Sequence, residues 1–433
     1  MADVNPFRGW RYDVGQVGDL SDVTCPPYDV IDAQFQNQLY EKHPCNVIRL
    51  ELNRDEPGDT DPDEKYKRAA EFLRKWIHQG VLIQEHEDAL YVYHQVFEWE
   101  GQQYTRRGFL GRIRLERFGE GKVFPHEQTL SGPKADRLKL LTACGMNLSP
   151  IFGLYPDSEN AVQAPLEKAI ATLTPFEARD HLGVLHRLWP VMSHEAIDAV
   201  RDQLRDKPIF IADGHHRYET AINFRDALNA KSKLLGPDSP SNFVMMMFVG
   251  MSDPGLVILP THRLVSGIEA LTKDDLMIAL GKHFELETVG QGPAAAKETW
   301  GLIDADGGQD VLGLGTTSDG WWMLARLTDG SPMQTLAPEQ SDEWRSLGVS
   351  LLHKLVLEHL LKAHHVDGPK CRYVHQVEEV VAAQAAQEVP LACLVPPARI
   401  SHVEDIAAQL EKMPPKSTYF YPKLQTGLVF NPV

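Results

Sequence analysis

Two adjacent imidazoles, a guanidinium and a carboxylate share one short stretch of this chain, Asp213-Gly214-His215-His216-Arg217-Tyr218-Glu219-Thr220. An apolar run, 208–212, precedes it and a helical pattern, 217–230, follows, so the spacing predicts a strand, a turn and a helix. Backbone N–H groups at a helix N-terminus carry partial positive charge, and a glycine there lets a ligand approach the main chain. With His215, His216 and Arg217 added, the turn becomes a phosphate cradle. Asp213 would carry Mg²⁺ beside a polyphosphate, or orient an imidazole. Two plainer alternatives stay open. The histidines would form a Zn²⁺ site, although helix neighbours share no face and neither a third ligand nor an H-E-x-x-H pattern lies nearby. Or Asp213 simply caps the helix.

A second cluster is Phe124-Pro125-His126-Glu127-Gln128-Thr129-Leu130, followed by Lys134, Asp136 and Arg137. Glu127 as general base with cations for phosphate is the economical chemistry for such a set; a solvated loop carboxylate is the bland one. Asn147 and Ser149 would hydrogen-bond a substrate or only shape a turn before Pro150. Thr261, His262 and Arg263, expected at the carboxyl end of a strand from 255 to 260, fit a ligand crevice or a plain surface. The aromatic and cationic stretch 414–423 is either a segment closing over the site or, slightly favoured, a C-terminal edge strand. His364 and His365 are expected at a polar helix end. No G-x-x-x-x-G-K-[ST] occurs, and no G-x-G-x-x-G follows a strand, so kinase chemistry would need another scaffold.

The elements that must position these groups are mixed. Asp61, Pro62 and Glu64 predict a helix start with Asp61 as cap, running to Gly80. Aromatic and β-branched residues in 89–97 and 104–115, around Glu100-Gly101, predict an antiparallel hairpin. Further strands are expected at 242–249, 255–260, 320–327, 371–375, 391–395 and 417–421, with helices at 273–284, 349–363, 377–387 and 403–412. The segment 7–52 shows no clear periodicity, and 307–315 reads as a Gly-rich stretch. The expected fold class is α/β with antiparallel components.

At 433 residues the chain has room for about two domains. Its net charge of −17 disfavours a nucleic-acid partner, whose phosphates would be repelled. Five cysteines with no C-x-x-C pair predict reduced thiols, and no run approaches a membrane span; together with an N-terminus lacking a basic then apolar pattern, this predicts a cytoplasmic protein.

Several motifs occur in order: Cys25-Pro26-Pro27-Tyr28-Asp29-Val30-Ile31; His43-Pro44 with Asn46 and Ile48-Arg49-Leu50-Glu51; Phe124-Pro125-His126-Glu127; Asp136-Arg137-Leu138; Asn147 with Ser149-Pro150-Ile151; Asp213 to Tyr218; Lys416-Ser417-Thr418 and Tyr421-Pro422-Lys423. Together they resemble, nearly end to end, the bacterial and archaeal DUF1015 family. The Asp-Gly-His-His-Arg turn is also similar to that of free-serine kinases of the ParB/sulfiredoxin-like fold. That resemblance implies a ParB/sulfiredoxin-like catalytic core with large insertions in residues 1–267 and a C-terminal α/β domain in 268–433. It implies Glu127 as base toward a serine hydroxyl, with His126 beside it. The turn, with Lys134, Arg137 and Arg263, would hold the phosphoryl donor, which is pyrophosphate, ADP or ATP with Mg²⁺. The expected activity is a kinase making O-phosphoserine from free L-serine or a similar small hydroxylated metabolite, acting on small molecules alone, with a homodimer as one arrangement. The alternatives are a noncatalytic nucleotide-binding regulator and a metal-dependent hydrolase centred on Asp213, His215 and His216.

Overall fold

The computed structural model describes residues 2–127, 131–231 and 236–433. Contacts divide the chain into two compact units: Met1–Pro125, Thr129–Val257 and Pro422–Val433 form unit 1, and His126–Gln128 with Ile258–Tyr421 form unit 2.

Unit 1 is built on the expected hairpin, Leu90–Trp99 paired antiparallel with Gln102–Arg114. Glu100 and Gly101 both have positive φ (51° and 75°), the backbone that a tight two-residue hairpin turn requires. Around it grows a mixed nine-stranded sheet, ordered Val123–Phe124, Ile209–Asp213, Ile151–Tyr155, Phe243–Gly250, Gln102–Arg114, Leu90–Trp99, Leu185–Val191 and Phe176–Arg179, with Val4–Asn5 also paired to Gln102–Arg114. Ile151–Tyr155 runs parallel to Phe243–Gly250 and antiparallel to Ile209–Asp213. Phe243-Val244-Met245-Met246-Met247-Phe248-Val249 is buried throughout, which is why the sequence there is an unbroken apolar run without alternation. Leu166, Ile197, Val200, Tyr218 and Ala221 bring helices onto Val92, Ile113, Ile151, Ile211 and Phe248 to close the core.

The helix expected from Asp61 starts later, at Glu64, and runs to His78. Asp61 still accepts the Asp63 N–H (2.9 Å), the bond expected of a cap, but within the turn that precedes the helix. Gly80, at φ +72°, follows the helix as expected. The segment without periodicity contains a ten-residue helix, Ala33–Lys42, which buries only Leu39 and Tyr40 and so leaves a weak apolar stripe.

Unit 2 carries a six-stranded antiparallel sheet in the order Phe284–Gln291, Trp321–Leu327, Val311–Thr316, Leu391–Leu394, His262–Ile268 and His365–Val374. The Gly-rich stretch turns out to hold the start of one of its strands. A Cβ on Gly313 would lie 2.8 Å from Thr299, and one on Gly315 2.6 Å from Trp322, so the glycines admit a helix and an indole to the sheet surface. The helix expected over 349–363 spans Gly348–Leu360, and from Leu351 to Leu360 it is wound wide as a π-helix, ending where Leu361 N–H bonds the Val356 carbonyl five residues back. His365 opens the next strand and holds the Leu357 carbonyl at 2.8 Å.

Candidate active site

In unit 1 the strand Ile209–Asp213 buries its apolar residues and ends on a carboxylate. Its register slips by one residue beside Asp213: Ile211 faces Gly153, but Asp213 faces Phe152. Such a bulge re-aims the side chains that follow it. Gly214 then turns the chain at φ +91° into the helix His215–Lys231, and Tyr218 N–H bonds the Gly214 carbonyl at 3.0 Å. A Cβ at Gly214 would sit 3.1 Å from the Arg217 guanidinium. Gly214→Ala is therefore expected to cost about 1–3 kcal/mol, since that backbone region is nearly glycine-only, and to displace Arg217; urea unfolding with a phosphate-binding titration checks both.

Asp213 is the focus of the charges. Lys423 Nζ donates to its Oδ2 at 2.7 Å, and Arg217 lies 3.6 Å from Oδ1 while donating to the Pro150 carbonyl. Behind them is Arg106, wholly buried. Burial pulls its pKa down to about 10, against the opposing pull of Tyr93, Asp253 and Asp213. Lys423 and Arg106 were absent from the expected site. Lys423 stands in the Tyr421-Pro422-Lys423 motif, which was the available sign; Arg106 lies in a strand with nothing to distinguish it from a solvent-facing arginine. His215 is buried and His216 half-buried at the start of the helix.

The other expected residues of this unit lie around the same helix with partners of their own. Lys134, on the helix Ser131–Cys144, is paired with Glu219 at 2.7 Å. Arg137 is buried, donating to the Glu51 carbonyl at 2.8 Å and to Asp136 Oδ2 from Nε at 2.8 Å, with Glu51 Oε1 at 3.4 Å and the Tyr28 ring 4.2 Å from its centre. Two carboxylates thus stand where an anionic ligand was expected. Burial opposes the charge on Arg137, but Glu51 and Asp136 outweigh it and raise its pKa. Ser149 donates to Glu51 Oε1 at 3.0 Å, and Asn147 Oδ1 accepts from Met245 N and Asn431 Nδ2. A small cleft of about 50 Å³ brings Glu51, Arg137, Asn147, Ser149, Arg217 and Thr220 together. Tyr28, at the Pro-Pro turn, has its pKa raised to about 12 by burial, although Arg217 and Arg137 pull the other way. Removing one member of a buried pair leaves the other charge uncompensated. Arg137→Met should therefore lower stability by about 3–5 kcal/mol, read as a lower urea midpoint.

Unit 2 holds the remaining expected residues. Glu127 Oε1 accepts the Lys416 N–H at 2.7 Å, and the His126 carbonyl accepts Met413 N–H at 2.7 Å. His126 is buried, with Nε2 2.9 Å from the Thr418 hydroxyl. Lys416, at φ +57°, is bound from the other side by Arg263, which donates to its carbonyl at 2.8 Å and also to the Thr261 carbonyl. Burial lowers the Arg263 pKa to about 10. The expected strand is present as Val257–Leu259, and Thr261 follows its carboxyl end, but His262 and Arg263 open the next strand, an interior one, and all three are buried rather than lining a surface crevice. His262 accepts the Val395 N–H through Nδ1 and packs edge-on to Trp300, and burial holds its pKa near 3. It is a neutral core residue here. Gln128, Thr129 and Leu130 lie outside the described residues.

Among the described residues, no group of three or more His, Cys, Asp or Glu could hold a metal ion, which leaves the hydrolase alternative without a ligand set there. A Mg²⁺ ion carried on a polyphosphate needs only one or two protein carboxylates, and Asp213 is the one this turn offers. No described helix is long and apolar enough to cross a membrane.

No curated protein matches the chain. Among solved structures, it is similar to a free serine kinase in complex with AMP, at 12% identity and a TM-score of 0.34 over 71% of this chain and 88% of that one. It is similar to a conserved hypothetical protein from Pyrococcus furiosus, at 12% identity and a TM-score of 0.32 over 70% of this chain and 89% of that one. SbnI with a C-terminal truncation, from Staphylococcus aureus, matches at 11% identity and a TM-score of 0.34 over 74% and 87%. At these values the likeness assigns this chain neither an activity nor a ligand. The profile of the family described as "Protein of unknown function (DUF1015)" matches residues 4–350, most of the chain, and the protein belongs to that family.

Proposed function

We propose that the Asp213–Arg217 turn binds a phosphoryl group and that the protein is a kinase for a small hydroxylated metabolite, free L-serine foremost, with pyrophosphate, ADP or ATP as donor. One observation carries it: Lys423 and Arg217 converge on Asp213 where a bulged strand passes through Gly214 into a helix N-terminus. A terminal phosphoryl group needs positioning and charge neutralisation more than covalent chemistry. Lys423 and Arg217 supply cationic donors, the helix N-terminus supplies a favourable dipole, and Gly214 keeps the main chain approachable. When bound, Mg²⁺ would neutralise the donor's remaining charge from Asp213. In this proposal Glu127 takes the acceptor's hydroxyl proton.

Calorimetric titration of pyrophosphate, ADP and ATP, each with Mg²⁺, tests the turn. Binding of at least one donor that is lost on disrupting the Lys423–Asp213–Arg217 set is expected. Equal binding without that set would place the phosphate elsewhere.

A further inference from the structure

Three neighbouring strands of unit 1 place His186, Gln95 and Arg106 side by side in one cross-strand row: His186 is opposite Gln95, and Gln95 is opposite Arg106. All three are wholly buried, a costly arrangement for polar groups unless each finds a partner. Their partners lead to the C-terminal tail. Arg106 Nε donates to Gln95 Oε1 at 3.0 Å, and a second guanidinium nitrogen donates to the same oxygen and to the Pro422 carbonyl. Gln95 Nε2 donates to the Lys423 carbonyl at 2.9 Å. On the other side, Gln425 N–H donates to the Tyr93 hydroxyl at 3.2 Å, and that hydroxyl lies 2.7 Å from His186 Nδ1. The His186 ring thus bridges the Tyr93 hydroxyl and Asp180, whose Oδ2 lies 3.2 Å from Nε2. Asp180 in turn accepts the Leu182 and Val184 N–H groups. The chain of bonds starts on a backbone turn and ends on the main chain of Pro422, Lys423 and Gln425.

We propose that the His186–Gln95–Arg106 row is a positioning device, holding the main chain at residues 422–425 so that the Lys423 ammonium reaches Asp213. Lysine is a flexible four-carbon stem with a compact charge, so its placement depends on where its backbone is fixed. The row fixes that backbone with buried donors, Gln95 and Arg106, that are bonded to each other. Arg106 is itself seated by its surroundings: its guanidinium lies 4.7 Å from the centre of the Phe152 ring, and a Cβ on Gly255 would come within 2.4 Å of its backbone. The consequence for anion binding rests on the phosphoryl-binding role proposed for the turn; the placement of Lys423 does not.

Competitive acetylation of the intact protein, read by peptide mass spectrometry as Lys423 labelling relative to exposed Lys297, tests the placement directly. Gln95→Glu keeps an acceptor for Arg106 but deletes the amide donor to the Lys423 carbonyl. Arg106→Lys keeps the buried cation but cannot span Gln95 and Pro422 together. Both variants should raise Lys423 labelling by roughly tenfold, and weaken pyrophosphate binding by about as much, the effect of losing one good hydrogen bond. Lys423 as protected in both variants as in the parent protein, with only the urea midpoint lowered, would overturn the positioning role and leave a packing role. Raised labelling in a protein that binds no pyrophosphate at all would uphold the positioning device while removing the anion from the turn.

Discussion

If the proposed kinase reading holds, Glu127→Gln is expected to lower kcat for phosphoryl transfer by about 10²–10⁴-fold, the usual worth of a general base, while donor affinity and the urea midpoint change little. The substitution isolates basicity because of how Glu127 is held. Its Oε1 accepts the Lys416 N–H, and a glutamine carbonyl placed there accepts the same bond. The segment through Met413, Lys416 and Thr418 that surrounds His126 and Glu127 therefore keeps its anchor. What is lost is the ability to take a proton. Steady-state kinetics with acceptor and donor varied in turn measure the split between kcat and KM. A kcat within threefold of the parent protein would remove Glu127 from the proposed chemistry.

On the same proposal, Arg217→Ala is expected to weaken donor binding and turnover together. Arg217 ties three things: the Asp213 carboxylate, the Pro150 carbonyl and the space above Gly214. A hydrogen bond to a charged group is worth about 1.5–3 kcal/mol, so donor affinity should fall by roughly ten- to a hundredfold. kcat should fall as well, because in this proposal the same donors would stabilise charge at the transferring phosphoryl group. Arg217→Lys, which keeps the charge without the planar fork, should recover only part of the loss. Donor affinity unchanged in Arg217→Ala would take phosphate away from this turn.

Much of the positioning scaffold was legible in the sequence because its signals are local. Residues 208–212 followed by Asp213-Gly214 marked a buried strand entering a helix, and Glu100-Gly101 marked the hairpin whose strands became the middle of the sheet. What was not legible depends on distant pairing. Lys423 meets a carboxylate 210 residues away, and only the path of the tail brings them together. Arg137 has the composition of a phosphate-binding cation, yet Glu51, 86 residues earlier, buries and pairs it. The Gly-rich stretch concealed part of a strand because close packing against Thr299 and Trp322, not turn formation, requires its glycines. Arg263 looked like a crevice cation because the partner that holds it, the Lys416 carbonyl, lies 153 residues away in sequence.

The most direct test is incorporation of phosphate into free serine. Purified protein is incubated with L-serine, Mg²⁺ and, separately, pyrophosphate, ADP and ATP, and O-phosphoserine is measured by mass spectrometry. Phosphoserine is predicted with at least one donor, strongly reduced in Glu127→Gln and Arg217→Ala. No phosphoserine with any of the three, under conditions where the protein binds the donor, would contradict free serine as acceptor.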